Sequence, residues 1–233
     1  MVICSICGGT SFKDNAVLWP ALIAEWEIDQ AETAYIDRQQ GTQCTKCGAN
    51  LRVIALGEAI LFALRKKVVL KKMVKRSRSV FSLGRKIRLL DLNGAATISD
   101  TLVRMPGYER HDYPQVDMQS MPFADDTFDI VIHSDTLEHV PDPVKALVEC
   151  HRVLKPGGTL CFTIPIIVGR MTRSRTGMPP SYHGDVSQDG DDWRVHTEFG
   201  ADAWLYLIKA GFDNIRINAV DSPSAHALSA VKR

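Results

Sequence analysis

The sequence predicts an α/β protein in which a doubly wound, mainly parallel sheet follows a small metal-binding module. Two observations support this prediction. Residues 128–164 contain a strand, a helix and a second strand in succession, and such βαβ units build parallel sheets. Two matching CxxC motifs lie within the first 50 residues. At 233 residues, the chain has the length of one medium-sized domain and a small module.

The composition is that of an ordinary globular protein, with 45% hydrophobic and 24% charged residues. The net charge of +1 favours no class of partner, so only local charge clusters are informative. No apolar run approaches the roughly 18 residues of a membrane span. The first residues lack the basic and apolar segments of a signal peptide. We therefore expect no membrane span and a cytoplasmic location.

The predicted N-terminal module, residues 1–56, carries two CxxC-Gly motifs. Each motif directs two thiolates toward one centre, and two motifs complete a tetrahedral site that suits structural Zn²⁺. A redox dithiol pair or unligated core cysteines are the alternatives. The residues between the motifs, 9–43, are expected to form a helical insert that packs on the next domain or covers a substrate. The predicted zinc ligands are Cys4, Cys7, Cys44 and Cys47.

A basic connector is predicted at residues 57–86. No acidic residue occurs between Glu58 and Asp91, whereas eleven basic residues occur at positions 65–88. Such a cluster is a candidate site for an anionic partner, such as a nucleic acid, a phosphate-bearing small molecule or an acidic surface. The alternative is a solvated helix that links two modules.

The predicted domain at residues 87–233 opens with an apolar strand at 86–92, which is followed by a turn of small residues. Asp91, Asn93 and Gly94 lie at the strand end and in this turn. Small residues allow a backbone to approach a ligand closely, and an acidic group at a strand end is typical of nucleotide sites. A short helix at 98–105 and a second strand at 108–112 follow.

The βαβ unit has clear boundary signals. The apolar run at 128–133 follows a charged turn, as expected for a buried strand. Asp142 is a good N-cap, and Pro143 suits the first helical position. The Pro-Gly-Gly run at 156–158 then ends the helix before the strand at 159–164.

The segments MPFADDTFDIVI, LEHVPDP and ALVECHRVLKPGGTL resemble class I S-adenosylmethionine-dependent methyltransferases of the type 11 family. The resemblance covers the fourth strand, the next helix and the fifth strand of that fold. It implies a Rossmann-like, mainly parallel sheet of seven strands, with S-adenosylmethionine as cofactor. A helix at 203–210 and strands at 214–220 and 225–231 suit that count. The alternative is a βαβ unit of another doubly wound fold.

The resemblance also implies which residues contact the cofactor. The turn after the first strand would approach it, an acid after the second strand would bind the ribose hydroxyls, and the next loop would hold the adenine. The backbone after the fourth strand would line the sulfonium and methionine part. The predicted residues are Asp91, Asn93, Gly94, Asp112, Asp117, Met118, His133 and Ser134. The turn has one glycine where the family commonly has two or three.

Two histidines are candidate catalytic residues. His139 lies in the neighbourhood that faces the reacting centre in related enzymes, and an imidazole titrates near neutral pH. His183 belongs to the long polar segment at 166–200, which resembles the substrate lid of the same family group. Its arginines are candidates for binding a phosphate or carboxylate. The alternatives are a structural histidine, a solvated loop, or a transfer that needs no base.

The resemblance implies a methyltransferase. We expect it to act on oxygen of a small-molecule or glycan acceptor, because a long lid suggests an enclosed site. One alternative is a methyltransferase of RNA or protein that uses the zinc module and the basic connector. Another is a non-catalytic binding protein whose altered turn no longer takes the cofactor.

Overall fold

The computed structural model describes residues 2–77, 87–182, 191–221 and 225–233. His183 and the last part of the basic connector lie outside these ranges. Within them, no helix is both long and apolar enough to cross a membrane.

The N-terminal part of the chain is a short hairpin with four helices. Its elements are β1 (Phe12–Lys13), α1 (Pro20–Glu25), α2 (Gln30–Gly41), β2 (Gln43–Cys44), α3 (Leu51–Ala63) and α4 (Leu70–Ser77). β1 and β2 pair in antiparallel fashion. The predicted helical insert therefore contains two helices, α1 and α2.

α3 joins this part to the rest of the molecule. Asn50 caps the helix by accepting a hydrogen bond from the backbone N–H of Val53 at 2.9 Å. Residues 51–57 are buried on all sides, which marks a helix inside a core rather than on a surface. α3 packs against the main sheet. The predicted division between module and connector, after residue 56, falls inside this helix.

The main sheet has six strands in the described residues. They are β3 (Leu89–Leu92), β4 (Tyr108–His111), β5 (Phe128–Ser134), β6 (Leu154–Thr163), β10 (Asp213–Val220) and β11 (Ala225–Val231), in the order β10-β11-β6-β5-β3-β4. The pairs β3–β4, β3–β5 and β5–β6 are parallel, whereas β11 runs antiparallel to both neighbours. The mainly parallel sheet is confirmed, but the predicted count of seven strands is not.

Helices cover both faces of the sheet, as expected for a doubly wound fold. α5 (Thr97–Leu102) lies in one core cluster with α3 and α4, and α6 (Pro143–Val153) and α7 (Leu205–Lys209) lie in another. Successive residues of one strand alternate between the clusters: Ile130 and Ile132 belong to the first, and Val131 to the second.

The segment at 166–200 forms a small sheet of its own. Its strands are β7 (Ile166–Ile167), β8 (Arg173–Ser174) and β9 (Thr197–Gly200), in the order β7-β9-β8. β7 follows β6 after two residues, so this lid begins at the carboxyl edge of the main sheet.

Candidate active site at the carboxyl edge of the sheet

The four predicted zinc ligands lie together. Their sulfur atoms are all within 4.8 Å of one another, with Cys4 and Cys44 buried. Cys4 Sγ lies 3.5 Å from Cys47 Sγ, and Cys7 Sγ lies 3.7 Å from Cys44 Sγ. Tetrahedral Zn²⁺ with Zn–S bonds of about 2.3 Å places its sulfurs about 3.8 Å apart. The donor set therefore fits zinc.

The two CxxC turns have the same backbone geometry. Gly8 and Gly48 both have φ of 76°, in the left-handed region that favours glycine. The N–H of Gly8 donates to the carbonyl of Cys4, and the N–H of Gly48 to that of Cys44, each at 2.8 Å. The second turn leads directly into the cap of α3, so the sulfur cluster lies beside the start of that helix.

The turn after β3 keeps its tight shape with a single glycine. Asn93, Gly94 and Ala96 have φ of 63°, 74° and 47°. The Oδ1 of Asn93 accepts a hydrogen bond from the N–H of Tyr113 at 2.7 Å. This bond holds the turn beside the loop that follows β4.

The buried carboxylate of Asp91 stabilises the turn through hydrogen bonds. Its side chain is fully buried, and its Oδ2 accepts hydrogen bonds from Ser99 Oγ and Tyr108 Oη, each at 2.6 Å. Ser99 Oγ in turn accepts from the N–H of Ala95 at 2.5 Å. Burial raises the pKa of Asp91. This geometry suits a residue that positions the turn rather than one that touches a ligand.

Asp112 lies next to the turn, although a neighbouring cation engages it. Its Oδ1 accepts from Arg110 Nε at 2.8 Å, and both side chains are about half exposed. The Arg110 guanidinium covers Gly94 so closely that a Cβ there would lie 2.6 Å from its Cζ. Exposed ion pairs contribute only about 0.2–1 kcal/mol. Arg110 can therefore give way to a ligand at low cost.

The predicted adenine pair has partners within the protein. Asp117 Oδ1 accepts from the N–H of Gln119 at 2.8 Å, which closes a local turn. Met118 is buried in the core cluster that contains Leu90 and Phe128. Packing within the protein accounts for both side chains as they stand.

His133 and Ser134 end β5 beside the end of β3, because Leu92 is the register partner of His133. The His133 ring is fully buried and stacks on Phe162 at 4.6 Å between centroids. Burial lowers the pKa of His133 to about 3, so the ring is neutral. Ser134 Oγ lies 2.8 Å from Thr163 Oγ1. Only the backbone of His133 is placed to line a ligand.

His139 lies at the same edge, in a short 3₁₀ turn at Leu137–His139. Its Nδ1 is 3.1 Å from the carbonyl oxygen of Arg194, and its Nε2 is 3.7 Å from Glu138 Oε1. A carbonyl oxygen only accepts, so Nδ1 carries the proton in the neutral ring, and Nε2 holds the lone pair. Burial lowers the pKa of His139, which favours this neutral form.

Three further polar side chains surround His139, and the sequence predicted no role for any of these side chains. Arg52 Nη2 donates to Asp135 Oδ2 at 2.6 Å. Among the described residues, Arg52 Nε and Nη1, Asp135 Oδ1 and both carboxyl oxygens of Glu138 are buried without a hydrogen-bond partner. Burial, together with the nearby Asp135 charge, raises the pKa of Glu138 well above its usual range. Arg52 had one sequence signal, since it is the single charged residue in the apolar run at 51–57.

These groups adjoin a cavity of about 370 Å³, here named the edge cavity. The helical insert supplies most of one wall, and the lid supplies much of the other. Eleven of its sixteen lining residues are apolar. The lining comprises Val17, Leu18, Trp19, Leu22, Trp26, Ile28, Ile36, Gln39, Gln40, Arg52, Asp135, His139, Pro165, Ile166, Ile167 and Trp193.

Three arginines of the lid share one buried carboxylate partner within the protein. Arg170, Arg173 and Arg175 all pair with the fully buried carboxylate of Glu198, and the Arg173 Nε contact is 2.7 Å. These arginines therefore have a partner within the protein, and binding of a substrate phosphate or carboxylate by the lid stays a prediction. The lid needs them internally, because the Glu198 charge lies inside it.

Comparisons with known proteins place a family match on this same sheet. Residues 77–162 match the family described as a methyltransferase domain. Over 142 residues, the chain is 36% identical to the ubiquinone/menaquinone biosynthesis C-methyltransferase UbiE of Klebsiella pneumoniae subsp. pneumoniae. That match covers 53% of this chain and 52% of the relative.

A second relative is cycloartenol-C-24-methyltransferase 1 of Oryza sativa subsp. japonica, with 39% identity over 74 residues. This match covers 32% of the chain and 18% of the relative. The chain therefore spans about half the length of the first relative and less of the second.

Among solved structures, the S-adenosylmethionine-dependent methyltransferase from Mesorhizobium loti is 16% identical, with a TM-score of 0.38. The alignment covers 69% of this chain and 96% of that one. Residues 77–162 therefore match a methyltransferase domain family, and both of the named relatives are methyltransferases.

Proposed function

We propose that this protein is an S-adenosylmethionine-dependent methyltransferase that acts on a small-molecule acceptor. The observation that carries the proposal is the methyltransferase family match on residues whose strands end at the edge cavity. In open α/β sheets, ligands bind beyond the carboxyl ends of the strands. The cofactor, when bound, supplies an electrophilic methyl group on a sulfonium.

The unpartnered groups near His139 suit the amino-acid end of that cofactor. Arg52 offers two buried N–H groups without a partner among the described residues, and Asp135 offers one buried carboxylate oxygen. A zwitterion presents a carboxylate that accepts from guanidinium donors and an ammonium that donates to a carboxylate. We assign Arg52 and Asp135 to these two contacts, in addition to the predicted cofactor residues.

Asp112 is proposed to hold the ribose hydroxyls after Arg110 moves aside. Asn93 and Gly94 shape the turn beside it, and Asp91 positions that turn. Asp117, Met118 and the backbone of His133 and Ser134 keep their predicted cofactor roles as proposals. The single glycine of the turn is compatible with binding, because Asn93 adopts the left-handed conformation a glycine would otherwise supply.

His139 is proposed as the general base. Its Nδ1 proton is held by the Arg194 carbonyl, and its neutral form is favoured by burial. A neutral imidazole at the polar end of the edge cavity can accept a proton from an acceptor hydroxyl or from an acidified carbon. His183 stays a second catalytic prediction, outside the described residues.

The acceptor atom has two candidates. The sequence predicted oxygen, whereas the names of two relatives specify methyl transfer to carbon. Neither relative is named for a glycan, and the walls of the edge cavity are mainly apolar. A small molecule other than a glycan is therefore the favoured acceptor. Mass spectrometry and ¹³C NMR of a product labelled with methyl-¹³C would distinguish an O-methyl from a C-methyl group.

Zn²⁺ is proposed at Cys4, Cys7, Cys44 and Cys47, in a structural role, because four thiolates leave no open coordination position. A cytoplasmic location stays a prediction.

The first experiment is calorimetric titration of the zinc-loaded protein with S-adenosylmethionine. We expect one site per chain with micromolar affinity, typical of a working cofactor site. Absence of binding in folded protein would favour the non-catalytic alternative, in which the altered turn no longer accepts the cofactor.

A further inference from the structure

We propose that the acceptor is a compact, largely apolar molecule with one polar end, and that the helical insert of the metal-binding module selects it. This inference rests on the proposed methyltransferase function and deepens it. The insert and the lid both lie outside the residues that match the methyltransferase family, 77–162. Acceptor choice would therefore reside in parts of the chain that the family match does not cover.

The walls of the edge cavity are built for an apolar ligand. The insert contributes Leu22, Trp26 and Ile36 from α1, α2 and the residues around them, and the lid contributes Ile167. These four side chains belong to one hydrophobic cluster separate from the two main cores. Apolar surface removed from water contributes about 25 cal/mol per Å², so a ligand matched to these walls gains affinity from its own apolar area.

The polar groups are concentrated at the end of the edge cavity nearest the sheet. His139 and Asp135 follow β5, and Arg52 reaches the same place from the start of α3. Trp193 packs edge-on against His139, with 6.0 Å between the ring centroids. An acceptor is therefore oriented, with its polar reacting end toward His139 and its apolar body between insert and lid.

Hydrogen bonds connect the insert to the lid. The Glu32 carboxylate of α2 accepts from the N–H groups of Val168 and Gly169, at 2.8 and 2.9 Å. Trp26 Nε1 donates to Ser181 Oγ at 2.9 Å. The two Glu32 bonds are charge-assisted, and together with the Trp26–Ser181 bond they fix the separation of the two walls and hence the width of the edge cavity.

A glycan does not suit this lining. A sugar carries several hydroxyl groups, and each hydroxyl that is buried without a hydrogen-bond partner weakens binding. Among the described lining residues, Gln39 and Gln40 are the only amide or charged side chains apart from the groups at the sheet end. Its volume of about 370 Å³ lies at the lower end of the usual range for ligand pockets, so the acceptor is compact.

The test uses 2-naphthol as an apolar probe with one hydroxyl, and methyl β-glucoside as a polar probe of similar size. Binding to the full-length, zinc-loaded protein is measured by saturation-transfer NMR and by calorimetry. We expect saturable binding of 2-naphthol and none of the glucoside. Leu22→Trp fills the edge cavity, and it is expected to weaken 2-naphthol binding at least tenfold.

Val148→Trp is the matched control, because Val148 is an exposed apolar residue on α6 that does not line the edge cavity. Ile36→Phe provides a second, milder filling of the cavity, should Leu22→Trp prevent folding. Failure of wild-type protein to bind 2-naphthol, equal binding of the glucoside, or unchanged 2-naphthol affinity in both filled variants would each overturn the proposal. The methyltransferase proposal is tested separately: it fails if the wild-type protein does not bind S-adenosylmethionine in the calorimetric titration.

Discussion

At the scale of single residues, two histidines at the carboxyl edge of the sheet lie in different environments. The side chain of His133 points into the core and stacks on Phe162, whereas His139 lines the edge cavity. Both have lowered pKa values because burial disfavours the charged ring. His139 is nevertheless in contact with polar groups, which makes it the one suited to proton transfer.

Because the buried His133 ring has a lowered pKa, we predict that the protein loses stability in acid. In the unfolded chain it titrates near pH 6.5, and in the folded protein at about 3. Between these values the unfolded state binds the extra proton, so stability is complete above pH 6.5 and falls as pH decreases, by about 1.4 kcal/mol per pH unit. His133→Phe is expected to remove that part of the slope in urea unfolding measured from pH 7 to 4. An unchanged slope would contradict the assignment.

Replacement of Asp112 is predicted to lower the affinity for S-adenosylmethionine. Asp112→Ala removes the carboxylate proposed to hold the ribose hydroxyls, and hydrogen bonds to charged groups contribute about 1.5–3 kcal/mol. We expect S-adenosylmethionine to bind roughly ten- to a hundredfold more weakly by calorimetry. Glu109→Ala is the control, because Glu109 lies on β4 and pairs with Arg88 instead. Equal affinity in wild type and Asp112→Ala would remove Asp112 from the site.

At the scale of elements, each wall of the edge cavity depends on a buried polar centre. The sulfur cluster lies beside the start of α3, from which Arg52 extends. The lid depends on Glu198 and its three arginines. A buried carboxylate that is shared by several arginines favours one arrangement of the lid, because any other arrangement leaves buried charges unpaired.

Cys44→Ser is expected to release the metal. One Zn²⁺ per chain should be found in the wild type by mass spectrometry of the metal content, and close to none in the variant. The four-thiolate site cannot be completed by three sulfurs with comparable affinity. Cys150→Ser is the control, because Cys150 is buried in the core away from the cluster and should leave the metal content at one. A wild-type protein prepared with zinc that retains none would disprove the site.

Glu198→Gln is expected to destabilise the protein by roughly 3–5 kcal/mol, because it leaves three arginines without their shared charge. Urea unfolding measures this change. Asp125→Asn removes the charge from a mostly exposed partner of Arg152, and it should alter stability by less than about 1 kcal/mol. Similar small effects of both substitutions would show that Glu198 does not organise the lid.

At the scale of the whole molecule, a mainly parallel sheet carries the proposed cofactor residues, and the elements around it build the proposed acceptor site. The described part of the basic connector exposes seven cations, and none of them forms an ion pair within the described residues. They lie at Arg65, Lys66, Lys67, Lys71, Lys72, Lys75 and Arg76. α4 places Leu70, Met73 and Val74 in the core, which orients its cations outward. An anionic partner for this surface stays a prediction.

The proposed function predicts that this basic surface is dispensable for chemistry on a small acceptor. Simultaneous replacement of Lys71, Lys72, Lys75 and Arg76 by glutamine should leave S-adenosylmethionine affinity and methyl transfer to a small acceptor within twofold of the wild type. Turnover is followed by formation of S-adenosylhomocysteine. A loss of turnover well beyond twofold would contradict this prediction. Methyl transfer to RNA that the wild type performs, that weakens steeply with salt and that the variant lacks would instead favour an RNA acceptor.

Local sequence determined most of the elements. The apolar run at 128–133, the N-cap Asp142 and the paired CxxC-Gly motifs specify their structures through contacts within a few residues, and each appears where predicted. The strand at 225–231 likewise has its predicted bounds. Short-range rules suffice there, because backbone geometry and burial on one face are encoded within the segment.

Only the tertiary structure decided how distant segments combine. It places Arg52 against Asp135, 83 residues away, and unites α1, α2 and the lid around one cavity. It also pairs the lid arginines with Glu198, although their sequence suggested a substrate anion. A sequence pattern shows that a side chain is charged, but its partner depends on which surfaces the fold brings together. Pairing and burial are properties of the packed chain, and the proposed chemistry of this site depends on both.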